Sequence, residues 1–213
     1  MISENVEVSD RTANKDYSSL EELYWARIDS AKMNFTKADV DFMTMMITHH
    51  AQALIMSDLA PKNGASTEIQ ILSARIINSQ KDEIEIMQNW LEERGQVVPQ
   101  VHIQGLTLMV HGEGMDHMGH TDHSDMVGML SQAELEELAA ARDIEFDELF
   151  LKYMIQHHLG ATIMVQDLIN TDGAVQDEAA FKLAADINAD QKTEIERMKL
   201  MLQAIRAGLT SQN

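Results

Sequence analysis

Residues 39–56 read Asp39-Val40-Asp41-Phe42-Met43-Thr44-Met45-Met46-Ile47-Thr48-His49-His50-Ala51-Gln52-Ala53-Leu54-Ile55-Met56. The frame Asp-x-x-Phe-x-x-x-Met-Ile-x-His-His returns 108 positions later as Asp147-x-x-Phe150-x-x-x-Met154-Ile155-x-His157-His158. Agreement continues from Ala53, Ile55 and Met56 to Ala161, Ile163 and Met164. Downstream, Ile76, Gln80, Glu83, Ile84, Met87 and Leu91 return as Ile187, Gln191, Glu194, Ile195, Met198 and Leu202, now at an offset of 111. Two copies of a helix–loop–helix unit account for both offsets, with a longer connection inside the second copy.

Apolar residues in the first copy fall at helical spacing: Phe42, Met46, Ile47 and Leu54 on one helix, and Ile69, Leu72, Ile76, Ile84, Met87 and Leu91 on its partner. Each hairpin therefore carries an apolar stripe that it cannot bury alone. Packing the two together predicts an all-α four-helix bundle of two duplicated hairpins with approximate two-fold symmetry.

Capping and stop signals place the boundaries. A short helix is expected over 18–34. Thr36-x-x-Asp39 opens the next helix, which ends before Pro61; its partner spans 66–94 and stops at Gly95. Ser131-x-x-Glu134 is a capping box for another short helix. The second copy's helices are expected over 145–170 and 174–207, with Thr171-Asp172-Gly173 as the turn and Gly208 as the stop. The chain thus divides into an N-terminal segment (1–35), a first hairpin (36–98), a Met/His-rich loop (99–130), and a short helix with the second hairpin (131–208). The two hairpins are expected to form one domain.

Composition agrees with this reading. The 213 residues are 45% hydrophobic but only 5% aromatic, with 2 Pro and 10 Gly, so strand and turn formers are scarce. Against 16 Lys+Arg stand 35 Asp+Glu, a net charge of -19. Such a surface repels phosphate backbones and anionic membranes, which argues against nucleic acid as a partner, and it also serves solubility. No apolar run approaches membrane-spanning length, so no membrane insertion is expected. The opening Met1-Ile2-Ser3-Glu4-Asn5 lacks the basic-then-apolar pattern of a signal peptide. A cytoplasmic protein, or an exported one after leader removal, would both fit.

Cysteine is absent, which excludes disulfides, thiolate zinc sites and iron–sulfur clusters, whereas Met occurs 16 times and His 9 times. Thioether and imidazole together can hold a soft metal where thiols would oxidise. These residues crowd between the two copies. From His102 to Met129 the chain has five His and five Met, among Gly and Asp and without helical periodicity, as expected for a flexible loop over the bundle. Candidate ligands are His111, Met115, His117, Met118, His120, His123, Met126 and Met129. Soft and borderline donors in this mixture suit Cu(I) or Ag(I); Cu(II) or Zn(II) on the histidines alone is the competing assignment. Methionines in a Gly- and Asp-rich loop have no core to fill, which favours metal binding over a mobile polar loop of incidental composition.

The paired histidines are a second candidate site. Adjacent helical residues point about 100° apart, so the two rings of a pair face different directions. Met46 lies one turn before His49 and His50, as Met154 does before His157 and His158. Gln80, Glu83/Ile84 and Met87 form a line on the partner helix, repeated by Gln191, Glu194/Ile195 and Met198. Either the histidines are buried and hydrogen-bonded to Gln or Glu, fixing how the hairpins dock, or one of each pair joins Met46 and Met154, or Met87 and Met198, to bind metal. A di-iron carboxylate site is not expected, because no Glu-x-x-His stands on these helices. P-loop, dinucleotide-binding and nucleophile-elbow motifs are also missing, so an enzyme is not expected.

The frame Phe42-x-x-x-Met46-Ile47-x-His49-His50-x-x-Ala53-x-x-Met56, followed by Ile76-x-x-x-Gln80-x-x-Glu83-Ile84-x-x-Met87-x-x-Trp90-Leu91, resembles the DUF305 family. The second copy resembles it too, in Gly128-Met129-Leu130-Ser131 and Phe146-Asp147-x-x-Phe150-Leu151-x-x-Met154-Ile155-x-His157-His158-x-Gly160-Ala161. The resemblance spans residues 38–202. It implies a ferritin-like bundle, usually exported, and for its best understood members copper binding and copper resistance in the bacterial periplasm. In the second copy Trp90 becomes Met201, and Gln52 becomes Gly160. The expectation is a non-enzymatic protein that sequesters or transfers Cu(I), with a copper-delivery or efflux protein as partner. A protein-interaction bundle with structural His pairs and no physiological metal is the alternative, and a metal-dependent oxidoreductase a third.

Overall fold

Thr36 and Ser131 each begin a helix by the same device. The hydroxyl of Thr36 accepts from the Asp39 N–H at 3.4 Å while the Asp39 carboxylate accepts from the Thr36 N–H at 2.8 Å; Ser131 and Glu134 repeat this at 3.4 and 2.8 Å. In the computed structural model, which describes residues 10–112 and 126–208, the helices are α1 (Asp10–Lys32), α2 (Lys37–Asp58), α3 (Thr67–Glu93), α4 (Gln132–Ala140), α5 (Asp143–Ile169) and α6 (Glu178–Arg206). Pro61 sits in a 3₁₀ turn, Ala60–Lys62, that ends the run of α2, and Gly95, at φ +63°, ends α3.

Two boundaries and one element differ from the sequence reading. Helix α1 begins at Asp10. Helix α6 begins at Glu178, because Val175 takes a left-handed φ of +51° and Asp177 caps the helix by accepting from the Ala179 N–H at 2.8 Å. The expected loop from 99 to 130 opens instead with a β-hairpin, β1 (Gln100–Gln104) and β2 (Thr107–His111). Its cause is a period of two: Val101 and Ile103 alternate with Gln100, His102 and Gln104, and Leu108 and Val110 with Thr107, Met109 and His111, while Gly105, at φ +62°, supplies the first position of a two-residue turn.

Helices α2 and α5 pack together at the centre, with α3 against α2 and α6 against α5. Two apolar clusters lie within this bundle. One joins Phe42, Met43, Met46 and Ile47 to Met87, Leu91, Val165 and Ile187. The other joins Met56, Leu72 and Ile76 to Phe146, Phe150, Met154 and Met198. Each cluster draws on both hairpins, and each fully buried side chain of this size contributes about 1.5–3 kcal/mol.

Polar contacts tie the hairpins crosswise. Asp39, at the start of α2, accepts from the Val175 N–H between α5 and α6 at 2.8 Å. Asp147, near the start of α5, accepts from the Ser66 N–H between α2 and α3 at 3.1 Å. Burial raises the pKa of Asp147, and the Ser66 bonds counter this only in part. At the far end of α3, Arg94 donates to Asp177 at 2.7 Å and lies over the Trp90 ring, whose indole N–H also reaches Asp177.

Candidate metal centre

The histidine pairs meet where α2 and α5 pack, and all four rings are fully buried. The His49 and His157 rings lie 3.8 Å apart between centroids. His50 and His158 stand outside them, 6.5 and 6.2 Å from their neighbours, so the rings form a row in the order His50, His49, His157, His158. The outer two bond carboxylates across each hairpin: His50 to Glu83 at 2.5 Å and His158 to Glu194 at 2.7 Å. The inner two donate to backbone oxygens, His157 to the carbonyl of His49 at 2.9 Å and His49 to that of Val127 at 3.2 Å.

A carbonyl can only accept, so Nε2 of His49 and His157 carries the proton. Burial, with the neighbouring His50, lowers the His49 pKa from 6.5 to about 3, and burial with the neighbouring His49 lowers that of His157 well below 6.5. Both rings are therefore neutral at physiological pH, and their Nδ1 atoms hold free lone pairs. Nδ1 of all four histidines is buried without a hydrogen-bond partner, as are both polar atoms of the Gln80 amide and Oε1 of Gln191. Leaving a buried acceptor unsatisfied costs about 1–3 kcal/mol, so this polar layer suits a small guest, either water or an ion.

Met46, Met87, Met154 and Met198 are fully buried, Met46 and Met87 in one apolar cluster and Met154 and Met198 in the other. Among the described residues no group of three His, Asp or Glu side chains is placed to hold a metal ion. The row therefore offers single nitrogens that would need thioether partners. Its visible bonds join α2 to α3, α5 to α6, and α5 to α2.

The end of the His/Met-rich segment is built into this row. Besides the Val127 carbonyl on His49, Leu130 is held by both ends of the Gln52 amide, donating to it at 2.7 Å and accepting at 2.9 Å. Gly128, at φ +84°, lies against Gly160, and a Cβ on Gly160 would stand 2.1 Å from the Val127 oxygen. Only glycine admits the segment there. Sequence reasoning did not find Val127, Gln52 or Gly160 as members of the centre, although the Gln52/Gly160 difference was its visible signal. Of the other candidates, Met129 is buried, Met126 half-buried, and His111 exposed at the end of β2. Met115, His117, Met118, His120 and His123 lie outside the described residues.

A helical bundle with a buried histidine row, onto which the end of a His/Met-rich segment is fastened, is the class that fold and centre define. The chain belongs to the family of the domain of unknown function DUF305, whose model matches residues 39–202. It is similar to a solved DUF305 fragment from Deinococcus radiodurans at 26% identity and a TM-score of 0.63, covering 79% of this chain and 97% of that one. It is also similar to CopM in the Cu(II)-bound form, at 29% identity and a TM-score of 0.56, and in the Cu(I)-bound form, at 28% and 0.55; both cover 78% of this chain and 95% of that one. No curated protein matches the chain.

Proposed function

We propose that this protein is a non-enzymatic binder of Cu(I), and of Ag(I) by the same chemistry, that sequesters the ion or hands it to a delivery or efflux partner. The observation that carries this reading is the bond from His49 to the Val127 carbonyl at 3.2 Å, which fastens the His/Met-rich segment onto the inner, neutral pair of the histidine row, His49 and His157. Similarity to CopM, solved with Cu(I) and Cu(II) bound, supports copper as the ion. Thioether and imidazole are soft and borderline donors, and Cu(I) accepts few ligands without a fixed geometry. Met115, His117, Met118, His120, His123, Met126, Met129 and His111 supply the capture ligands. The paired histidines chiefly hold the hairpins together, and their free Nδ1 atoms with Met46, Met87, Met154 or Met198 are secondary sites. A cysteine-free ligand set suits an exported, oxidising compartment. No helix among the described residues is long and apolar enough to cross a membrane.

The test is a Cu(I) titration against a chromophoric competitor, under reducing conditions, on the unaltered chain and on a variant with Met115 and Met118 changed to Ser and His117, His120 and His123 to Asn. Stoichiometry should fall in the variant. Undiminished stoichiometry excludes these residues as ligands, and no binding by the unaltered chain overturns the metal reading. One observation favours the interaction module as a second reading: α1 exposes Leu20, Leu23, Tyr24 and Trp25, each by more than half. Co-purification of a stoichiometric partner lost on Leu23→Glu, with no copper bound, would establish it.

A further inference from the structure

The hairpin register places three donors together that a reading of 99–130 as loop could not relate. Gln100 pairs with His111, Val101 with Val110, His102 with Met109, Ile103 with Leu108, and Gln104 with Thr107. Side chains alternate across a strand, and directly paired residues share a face. His102, Met109 and His111 therefore stand on one face of the hairpin, and Val101, Ile103, Leu108 and Val110 on the other. The second face is the one turned to the bundle, since Leu108 and Val101 pack against the two apolar clusters. On the first face His102 and His111 are exposed and Met109 is half-buried.

The spacing fits one small ion. Two-residue turns make Gln104 and Thr107 a hydrogen-bonded pair, and alternation makes His102 and Met109 another, with Cα atoms about 5.5 Å apart. His111 follows Met109 by two residues on the same face, and its diagonal to His102 is about 7–8 Å between backbones, within the reach of long side chains. Two imidazoles and one thioether presented on one face of two paired strands make a three-donor set suited to a d¹⁰ monovalent ion.

The geometry points to a surface site for Cu(I) or Ag(I) formed by His102, Met109 and His111 on the outer face of the hairpin, resting on the copper-binding reading above. This site is preorganised by backbone pairing and exposed to solvent. It stands at the start of the His/Met-rich segment, whose far end is fastened at His49. Only His111 of its three members was a candidate from sequence.

The test is a silver titration of the full chain labelled with ¹³C at the methionine methyls, followed by NMR, since Ag(I) is diamagnetic and prefers the same donors. The Met109 resonance, identified by its loss in Met109→Leu, should shift at substoichiometric silver. His102→Asn should weaken that site by more than about tenfold, because removing even an outer partner of a metal ligand costs this much. Movement of other methyls without Met109 overturns the hairpin site and leaves the copper reading standing. A Met109 shift unaffected by His102→Asn overturns the three-donor set, and no movement of any methyl overturns both readings. Circular dichroism of His102→Asn, altered only on an exposed face, checks that the bundle is intact.

Discussion

Acid should destabilise the apoprotein well above the pH at which its carboxylates titrate. His49 has a pKa of 6.5 when exposed and about 3 in the fold, through burial and the adjacent His50. Above pH 6.5 neither state binds the proton and the full stability is present. Below it the unfolded chain takes up the proton and the folded chain does not, so stability falls until the folded pKa is reached. At ~pH 5 the loss from His49 alone is about 2 kcal/mol, from 1.36 kcal/mol per pKa unit. His157, also lowered, adds a loss of the same sign. Asp147 and Asp190, whose pKa values are raised, act oppositely but only as carboxylates protonate. The assay is urea unfolding of metal-free protein at ~pH 7.5, ~6 and ~5, where 2 kcal/mol moves the midpoint by about 1 M. His157→Gln, which keeps a donor for the His49 carbonyl, should show a shallower decline. Equal stability at the highest and lowest pH in the native chain, or a His49 ring titrating near its exposed value, would refute the reasoning.

Three further outcomes follow from single contacts. Gly160→Ala places a methyl 2.1 Å from the Val127 oxygen and 2.7 Å from the Gly128 Cα, neither of them free to move without the backbone; it should cost about 1–3 kcal/mol in thermal unfolding and speed amide exchange at Leu130. Arg94→Ala leaves the buried Asp177 carboxylate with only the Trp90 indole and the α6 N–H groups, and a loss of about 3–5 kcal/mol in denaturant unfolding is expected. His50→Ala strips the buried Glu83 of its partner and should cost about 1–3 kcal/mol by the same measurement, more than Glu83→Gln, which keeps an acceptor for the imidazole.

The parts of the fold that were legible are those set by neighbours in sequence. Apolar spacing in 42–54 and 69–91 gave two helices and their buried faces, and the Thr36 and Ser131 capping boxes fell where the residues place them. The stripe of Gln80 and Glu83, repeated as Gln191 and Glu194, offered either residue type as a partner for the histidines, and the bonds go to Glu83 and Glu194. The hairpin was less legible because the alternation of Val101, Ile103, Leu108 and Val110 spans only two five-residue strands within a segment dominated by His, Met and Gly. The late start of α6 depends on Val175 holding a left-handed conformation, which its N–H bond to Asp39 supports and no local residue announces. Val127 could not be found from sequence at all, since it acts through a backbone carbonyl that any residue carries.

That carbonyl also explains why the two copies differ at positions 52 and 160. A bundle of two equivalent hairpins offers two equivalent approaches to its central histidines, but one chain has a single segment between the hairpins to fill one of them. On that side His49 donates to Val127, whereas His157, at the matching position, donates to the backbone of α2 instead. The matching positions Gln52 and Gly160 must then diverge. Gln52 has to bond the backbone of Leu130 on both its edges, and residue 160 has to vanish so that Val127 and Gly128 can pass. A glutamine at 160 would block the segment, and a glycine at 52 would leave the Leu130 N–H and carbonyl unpaired in the interior, at about 1–3 kcal/mol for each. The Gln52/Gly160 difference is thus the one that turns a symmetric scaffold into a seat for a single His/Met-rich segment.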